Sequence, residues 1–258
     1  MKSNTSWGNV AEWYDEMLET SDDSYQKNVI LPNVSRILNP KQGDRILDLA
    51  CGQGFFSRAF ASAGADVAGV DASAELIALA KKHASKKIAY YAAPADKLDF
   101  LAAGSFDAAV MILAIQNIKN IAGVFSELWR VLVPLGRLVL VMNHPAFRIP
   151  KRSSWGWDAA AGAQYRRVDG YLTESKISID MHPGKELKET TISFHRPMQT
   201  YVNVLTKNDF AVTRMEEWIS HRQSQKGPRQ IAEDRSRKEI PLFLMIEARK
   251  LPASRERK

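Results

Sequence analysis

The sequence predicts an α/β protein built on a doubly wound parallel sheet. Between residues 45 and 142, short apolar runs alternate with helical patterns of about 10–15 residues, as strands and their crossover helices do. A glycine-rich string sits where the first run meets the first helix. At 258 residues, against roughly 150 per domain, the chain has room for a full sheet with a covering insertion.

The elements follow in order. Residues 1–40 set Trp7, Trp13, Tyr14 and Tyr25 among six acids, an amphipathic helical lead-in expected to serve as a lid. Residues 41–143 form the ligand-binding core. Its strands are expected at 46–50, 66–71, 88–92 and 106–113, with helices at 55–63 and 74–84 between them. The helix 121–133 has apolar residues at 121, 124, 125, 128, 129, 131 and 132, the spacing of a core-facing face. Pro134 and Gly136 then break the pattern before a fifth strand at 137–142.

After the fifth strand the rhythm is lost. Residues 144–197 read as an insertion rich in aromatic and charged side chains, a candidate substrate lid. Within it, 176–180 and 189–194 alternate polar with apolar around Pro183-Gly184, the mark of an antiparallel hairpin. Residues 198–250 return to the sheet pattern with a helix at 198–207, a strand at 211–218 and an apolar run at 242–246. A basic tail, 251–258, ends a single domain.

One cysteine permits neither an internal disulfide nor a multi-cysteine metal cluster, so a reducing, cytoplasmic setting and no metal are expected. No apolar run reaches the ~18–20 residues of a membrane span, and the first residues carry no signal-type apolar core. The net charge is +7, and from His221 to Lys258 eleven Lys and Arg face five acids. Most of the excess therefore lies at the C-terminus, as a solvated basic tail or a docking surface for an acidic partner.

The chemistry begins at Asp48-Leu49-Ala50-Cys51-Gly52-Gln53-Gly54. Glycines there let the backbone turn sharply and approach a ligand, while helix N–H groups point into the same crevice. Asp71, at the end of the second strand, can accept two hydrogen bonds from a ribose diol. Its other possible role is to cap the next helix, which Ser73 can also do. A dinucleotide fold wants a third glycine where Ser57 stands. Asp48 would repel a pyrophosphate but stabilise an ammonium or sulfonium. A cationic nucleoside ligand is favoured.

Asp48 to Gly54 together with Asp71 resembles the first two motifs of the class I S-adenosylmethionine-dependent methyltransferases. The likeness runs from Gly43 to about Asn143, resumes over roughly the last sixty residues, and is nearest to the small-molecule, quinone-biosynthesis-like branch. It implies a Rossmann-like seven-stranded sheet whose last strand is antiparallel, with S-adenosyl-L-methionine as cofactor. Gly52 and Gly54 would line the methionine moiety and Ala50 would offer its backbone. Asp71 would hold the ribose, with Ala72 beside the adenine. The third motif departs: Pro94 takes the usual acid position, leaving Ala95 or Asp96 to meet the adenine. Leu113, at the fourth-strand exit, also belongs to the cofactor-facing set. Tyr14 or Tyr25 would reach the methionine carboxylate.

The implied function is methyl transfer to a small organic acceptor by in-line displacement, for which positioning alone supplies much of the rate. The string Leu113-Ala114-Ile115-Gln116-Asn117-Ile118 lacks the Asp/Asn-Pro-Pro-aromatic turn common in amino-group methyltransferases. Nucleic acid therefore ranks second, and a non-catalytic S-adenosylmethionine-binding protein is a further alternative. His144 and His195 are the candidate general bases, since imidazole titrates near neutrality. Trp155, Trp157, Tyr165 and Arg166 are the candidate acceptor-binding residues. His83, beside Lys81 and Lys82, reads as surface.

Overall fold

The computed structural model describes residues 6–84, 88–181 and 189–252. In chain order the strands are β1 (Arg45–Leu49), β2 (Asp66–Asp71), β3 (Ile88–Ala92), β4 (Phe106–Ile112), β5 (Leu132–Asn143), β6 (Ser153–Asp158), β7 (Ala163–Val168), β8 (Ser175–Asp180), β9 (Thr190–His195), β10 (Phe210–Trp218) and β11 (Phe243–Lys250). The helices are α1 (Ala11–Thr20), α2 (Leu31–Leu38), α3 (Phe55–Ser62), α4 (Ala74–His83), α5 (Ile121–Val131), α6 (Met198–Lys207) and α7 (Gln230–Glu239).

Seven strands form one sheet in the order β10-β11-β5-β4-β1-β2-β3. β11 runs antiparallel to both neighbours, and the pairs from β5 to β3 are all parallel. Side chains alternate across the central strands. Leu47, Leu49 and Met111 face a layer holding Phe125 and Leu128 of α5 and Leu205 of α6. Ile46, Val110 and Val139 face Val34 and Ile37 of α2 and Phe60 of α3. Burial on both faces is why these strands read as unbroken apolar runs.

Several expectations need correction. β5 starts at Leu132, so the strand runs through Pro134 and Gly136 instead of following them. Phe106 pairs with Leu132 and Ala108 with Arg137, so 133–136 arch out of the ladder, with Leu135 at φ 62°. Besides the expected β8–β9 hairpin, the insertion holds a second one, β6–β7. The Pro183-Gly184 turn lies outside the described residues. α7 was also unexpected, within the stretch read as charged and solvated.

Part of that basic stretch is built into the molecule, although most of its described Lys and Arg side chains are exposed. β11 extends to Lys250, whose ammonium donates to the Leu132 carbonyl at 2.7 Å and sits 4.1 Å from the Trp129 ring centre. Arg222 lies over Tyr25 and pairs with Asp23, Arg229 lies over Trp157, and Arg237 donates to Ser224. Residues 253–258 are outside the described residues. Among the described residues no helix is long and apolar enough to cross a membrane.

Candidate active site

The exits of β1, β2 and β4 open into a cavity of about 420 Å³. After β1 the chain turns through Ala50 at φ 61°, Gly52 at 56° and Gly54 at 82° before α3 begins. Left-handed backbone is strained for Ala50 and natural for glycine. The turn aims the Gly52 N–H at Asp71, whose two carboxylate oxygens accept from Gly52 N at 3.0 Å and Ser73 N at 2.8 Å. Ser73, not Asp71, caps α4, accepting from Leu76 N. Asp71 is thus fixed by backbone donors with lone pairs to spare at the cavity wall. Burial raises its pKa, while the N–H groups of Ser73, Gly52 and Ala72 pull it back.

Asp48 is 2% exposed and accepts from the Ser57 hydroxyl at 2.5 Å. Burial pushes its carboxyl up to about 7; the Ser57 hydrogen bond opposes this and the Asp71 charge adds to it. Ser57, at the place of a third glycine, therefore orients an acid. No Lys, Arg or His side chain is among the described residues that line the cavity. Its two central carboxylates make a site for a cation bearing a diol.

The N-terminal segment forms part of the cavity wall. Trp7 and Tyr14 meet edge to face at 5.4 Å, and both line it. Burial pushes the Tyr14 hydroxyl up to about 12. α1 is anchored by Asp15 to His83 at 3.1 Å, and by Glu19 to Gln53 and Arg58. His83 is therefore a joint between α1 and α4, not bare surface. Ser6 donates to Thr191 of β9 at 2.9 Å and Asn9 to Glu189 at 3.2 Å, so the lead-in meets the insertion across the cavity mouth.

Of the residues expected at the cofactor, the cavity brings together Tyr14, Asp48, Ala50, Gly52, Asp71, Ala72, Ala95, Asp96 and Leu113. Asp96 also accepts from Asn120, the cap of α5, at 2.8 Å. Gly54 is not in the lining; its hydrogen faces the Tyr90 ring, and a Cβ there would collide with the Tyr90 hydroxyl. Tyr25 lies elsewhere, its hydroxyl 3.1 Å from the Ser220 hydroxyl and its ring against Phe243.

Neither candidate base reaches the cavity. His144 is 1% exposed; its Nε2 lies 2.7 Å from Glu217 and its Nδ1 accepts from Ala146 N. Burial lowers its pKa against the pull of Glu217, and the ring ties the start of the insertion to β10. His195 bonds to the Tyr171 carbonyl at 2.8 Å. The acceptor candidates also point elsewhere. Arg166 stacks on Trp155 and donates to the Phe147 carbonyl, Trp157 lies under Arg229, and Tyr165 covers Gly156. These four hold the β6–β7 hairpin together and to its surroundings.

Residues 47–140 match the family model described as a methyltransferase domain. The solved S-adenosylmethionine-dependent methyltransferase of Mesorhizobium loti is 30% identical, with a TM-score of 0.69 over 85% of this chain and 96% of that one. The chain belongs to the S-adenosylmethionine-dependent methyltransferases. An uncharacterized protein of Haemophilus influenzae is 26% identical over 94% of this chain and 95% of its own length. A demethylmenaquinone methyltransferase of Beutenbergia cavernae is 38% identical over 103 residues, a match spanning 40% of this chain and 42% of that relative.

The donor set fits the cofactor of this family: a fixed diol-binding carboxylate, a buried acid for a sulfonium, and a strand exit without a bulky side chain. Several lining residues went unread in the sequence, among them Trp7, Phe55, Phe56, Asn117, Ile118, Thr191 and Ile192. Asn117 and Ile118 had one available signal, their place just beyond the fourth-strand exit. Thr191 and Ile192 had none, because a hairpin strand gives no hint of which cavity it borders.

Proposed function

We propose that this methyltransferase acts in the cytoplasm on a small, largely apolar acceptor bearing a hydroxyl or comparable nucleophile. The observation that carries this is the composition of the cavity end left over from the cofactor. Asp71, Ala72, Ala95 and Asp96, at the β2 and β3 exits, would take ribose and adenine. Ala50, Gly52 and Tyr14 would take the methionine portion, with Asp48 behind the positive charge. What remains includes the apolar Trp7, Phe55, Phe56, Ile118 and Ile192 beside the uncharged Ser6, Asn117 and Thr191. An apolar molecule is favoured there, and a phosphodiester chain would meet no cation.

S-adenosylmethionine, when bound, supplies an electrophilic methyl group. The chain's residues hold acceptor and cofactor in line and exclude water, and such alignment is worth up to ~7–11 kcal/mol in favourable models. No histidine serves as base in this reading, since both candidates are engaged away from the cavity. Residues 1–40 and 144–197 act together as the lid, an assignment supported by the Ser6–Thr191 and Asn9–Glu189 hydrogen bonds. The names of partial relatives agree with the acceptor class: demethylmenaquinone methyltransferase, and the ubiquinone biosynthesis O-methyltransferase of Bordetella avium, 30% identical over 47% of its length. A cytoplasmic setting suits a chain whose lone cysteine is a buried thiol.

Thermal unfolding with S-adenosylmethionine, S-adenosylhomocysteine and NADH in parallel tests the cofactor half. A ligand at 100 times its dissociation constant adds about 2.7 kcal/mol. A rise with the two adenosyl compounds alone is expected; a rise with NADH alone overturns the reading. Transfer of a radiolabelled methyl group to 1,4-dihydroxynaphthalene, against an RNA oligonucleotide, tests the acceptor half.

A further inference from the structure

The hydroxyl, carboxyl and amide side chains lining the cavity differ in what they are bonded to. Ser6 and Thr191 bond each other. Asp48 accepts from Ser57, Asp71 from two backbone N–H groups, and Asp96 from Asn120. Among the described residues, the Asn117 amide lines the cavity and makes no side-chain hydrogen bond.

Its backbone is nonetheless held firmly. Asn117 N donates to the Ala114 carbonyl at 2.8 Å, and the neighbouring Gln116 amide donates to the Leu113 carbonyl at 2.7 Å. From the insertion, the buried Arg196 donates to the carbonyls of Ile118 and Lys119, both at 2.9 Å. Hydrogen bonds within the turn and from Arg196 thus fix it, and the Asn117 side chain lines the cavity. A polar group presented this way is free to bond a ligand in the cavity.

We infer that Asn117 binds an uncharged oxygen of the acceptor and so selects for aromatic hydroxyl or carbonyl compounds over hydrocarbons of the same shape. This rests on the acceptor reading above. An amide offers one acceptor oxygen and two N–H donors but no charge, so it matches a phenol, hydroquinone or quinone oxygen better than a carboxylate or phosphate. It lies just beyond β4, in the same cavity lining as Ile118, Thr191 and Ile192. The Leu113 carbonyl, already accepting from Gln116, is less available to recognise an amino group there. Arg196 is a positioning residue for the turn.

Calorimetric titration of the S-adenosylhomocysteine complex with 1,4-dihydroxynaphthalene and 1,4-dimethylnaphthalene tests this. Wild type should prefer the diol. Asn117→Leu, close in shape, should lose about tenfold in diol affinity, keep its dimethylnaphthalene affinity, and bind S-adenosylhomocysteine unchanged. Asn117→Ala should reproduce the loss of preference. Equal preference in wild type and both variants overturns the assignment while leaving the acceptor reading standing. Wild type that binds cofactor but neither naphthalene overturns the acceptor reading and the assignment with it. Arg196→Lys should weaken diol binding less than Asn117→Leu, and no effect of either change overturns the positioning role.

Discussion

The β1–β4 half of the molecule and the unit formed by β6, β7 and α7 are held together in different ways, and the difference shows in how they carry function. In the first, two apolar layers pack on a sheet, and the strand exits converge on one cavity. In the second, arginines lie on tryptophans, Arg166 on Trp155 at 5.1 Å and Arg229 on Trp157 at 4.6 Å, and Ser236 of α7 donates to the Gln164 carbonyl. The core can impose strained backbone, as at Ala50 and Leu113, because buried strands hold both sides of it. The second unit is built of partly exposed contacts worth little individually. Substitutions in the first should act on ligand binding and in the second on stability.

The largest separation is expected from Asp71→Ala. Two hydrogen bonds to a carboxylate, at ~1.5–3 kcal/mol each, would be lost from the cofactor's ribose. Affinity for S-adenosylhomocysteine should fall by about a hundredfold or more in calorimetry. An unchanged affinity would remove Asp71 from the site.

Gly54→Ala comes next and acts through packing. The added methyl meets the Tyr90 hydroxyl, and φ 82° is strained for alanine. A loss of about 2–3 kcal/mol in urea unfolding is expected, combining the left-handed cost with overpacking. Gly54→Ala with Tyr90→Phe should recover only part of the steric cost, since ring Cζ and Cε1 still stand 2.9 and 3.2 Å from the added Cβ. Full recovery would show that the backbone angle costs nothing.

These two positions show what the sequence carried. Strands β1, β2 and β4 were legible because two-sided burial leaves apolar runs, and Asp48, Gly52 and Asp71 because a ligand-binding turn must be compact in sequence. The second unit was not legible. Ser-Ser-Trp-Gly-Trp-Asp has no buried face of its own until Arg229, more than seventy residues later, covers Trp157. His144 read as a base because its partner Glu217 is equally remote. That Lys250 is buried against Trp129 was not legible, because nothing local shows which partners β11 meets. Long-range polar partners leave no local pattern.

Acidity gives the third test. In the free protein burial favours the neutral form of the Asp48 carboxyl and pushes it up from its ordinary 3.8 to about 7. Across that window the folded state binds the proton more tightly than the unfolded state. Protonation of Asp48 therefore contributes stability that is full below about pH 4 and lost as pH rises through 7. A sulfonium ligand prefers the ionised acid. Affinity for S-adenosylmethionine should rise by up to about tenfold per pH unit below 7 and level off above it. One proton should be released on binding, visible as a buffer-dependent enthalpy. Asp48→Asn should flatten the profile; a wild-type profile already flat from pH 5 to 8 would separate Asp48 from the ligand's charge.

The smallest effect belongs to the second unit and decides what Trp157 is for. Arg229 is exposed, so its contact with the Trp157 ring should be worth about 0.5–1 kcal/mol. A double-mutant cycle of Arg229→Ala and Trp157→Ala, read by urea unfolding, should return a coupling of that size. Cofactor affinity and the KM for 1,4-dihydroxynaphthalene should stay at wild-type values in all three variants, because neither residue lines the cavity. A rise in acceptor KM with no loss of stability would invert the comparison and make the hairpin part of the binding surface. A coupling without a KM change would leave it as a clasp between insertion and C-terminal helix, with recognition confined to the strand exits.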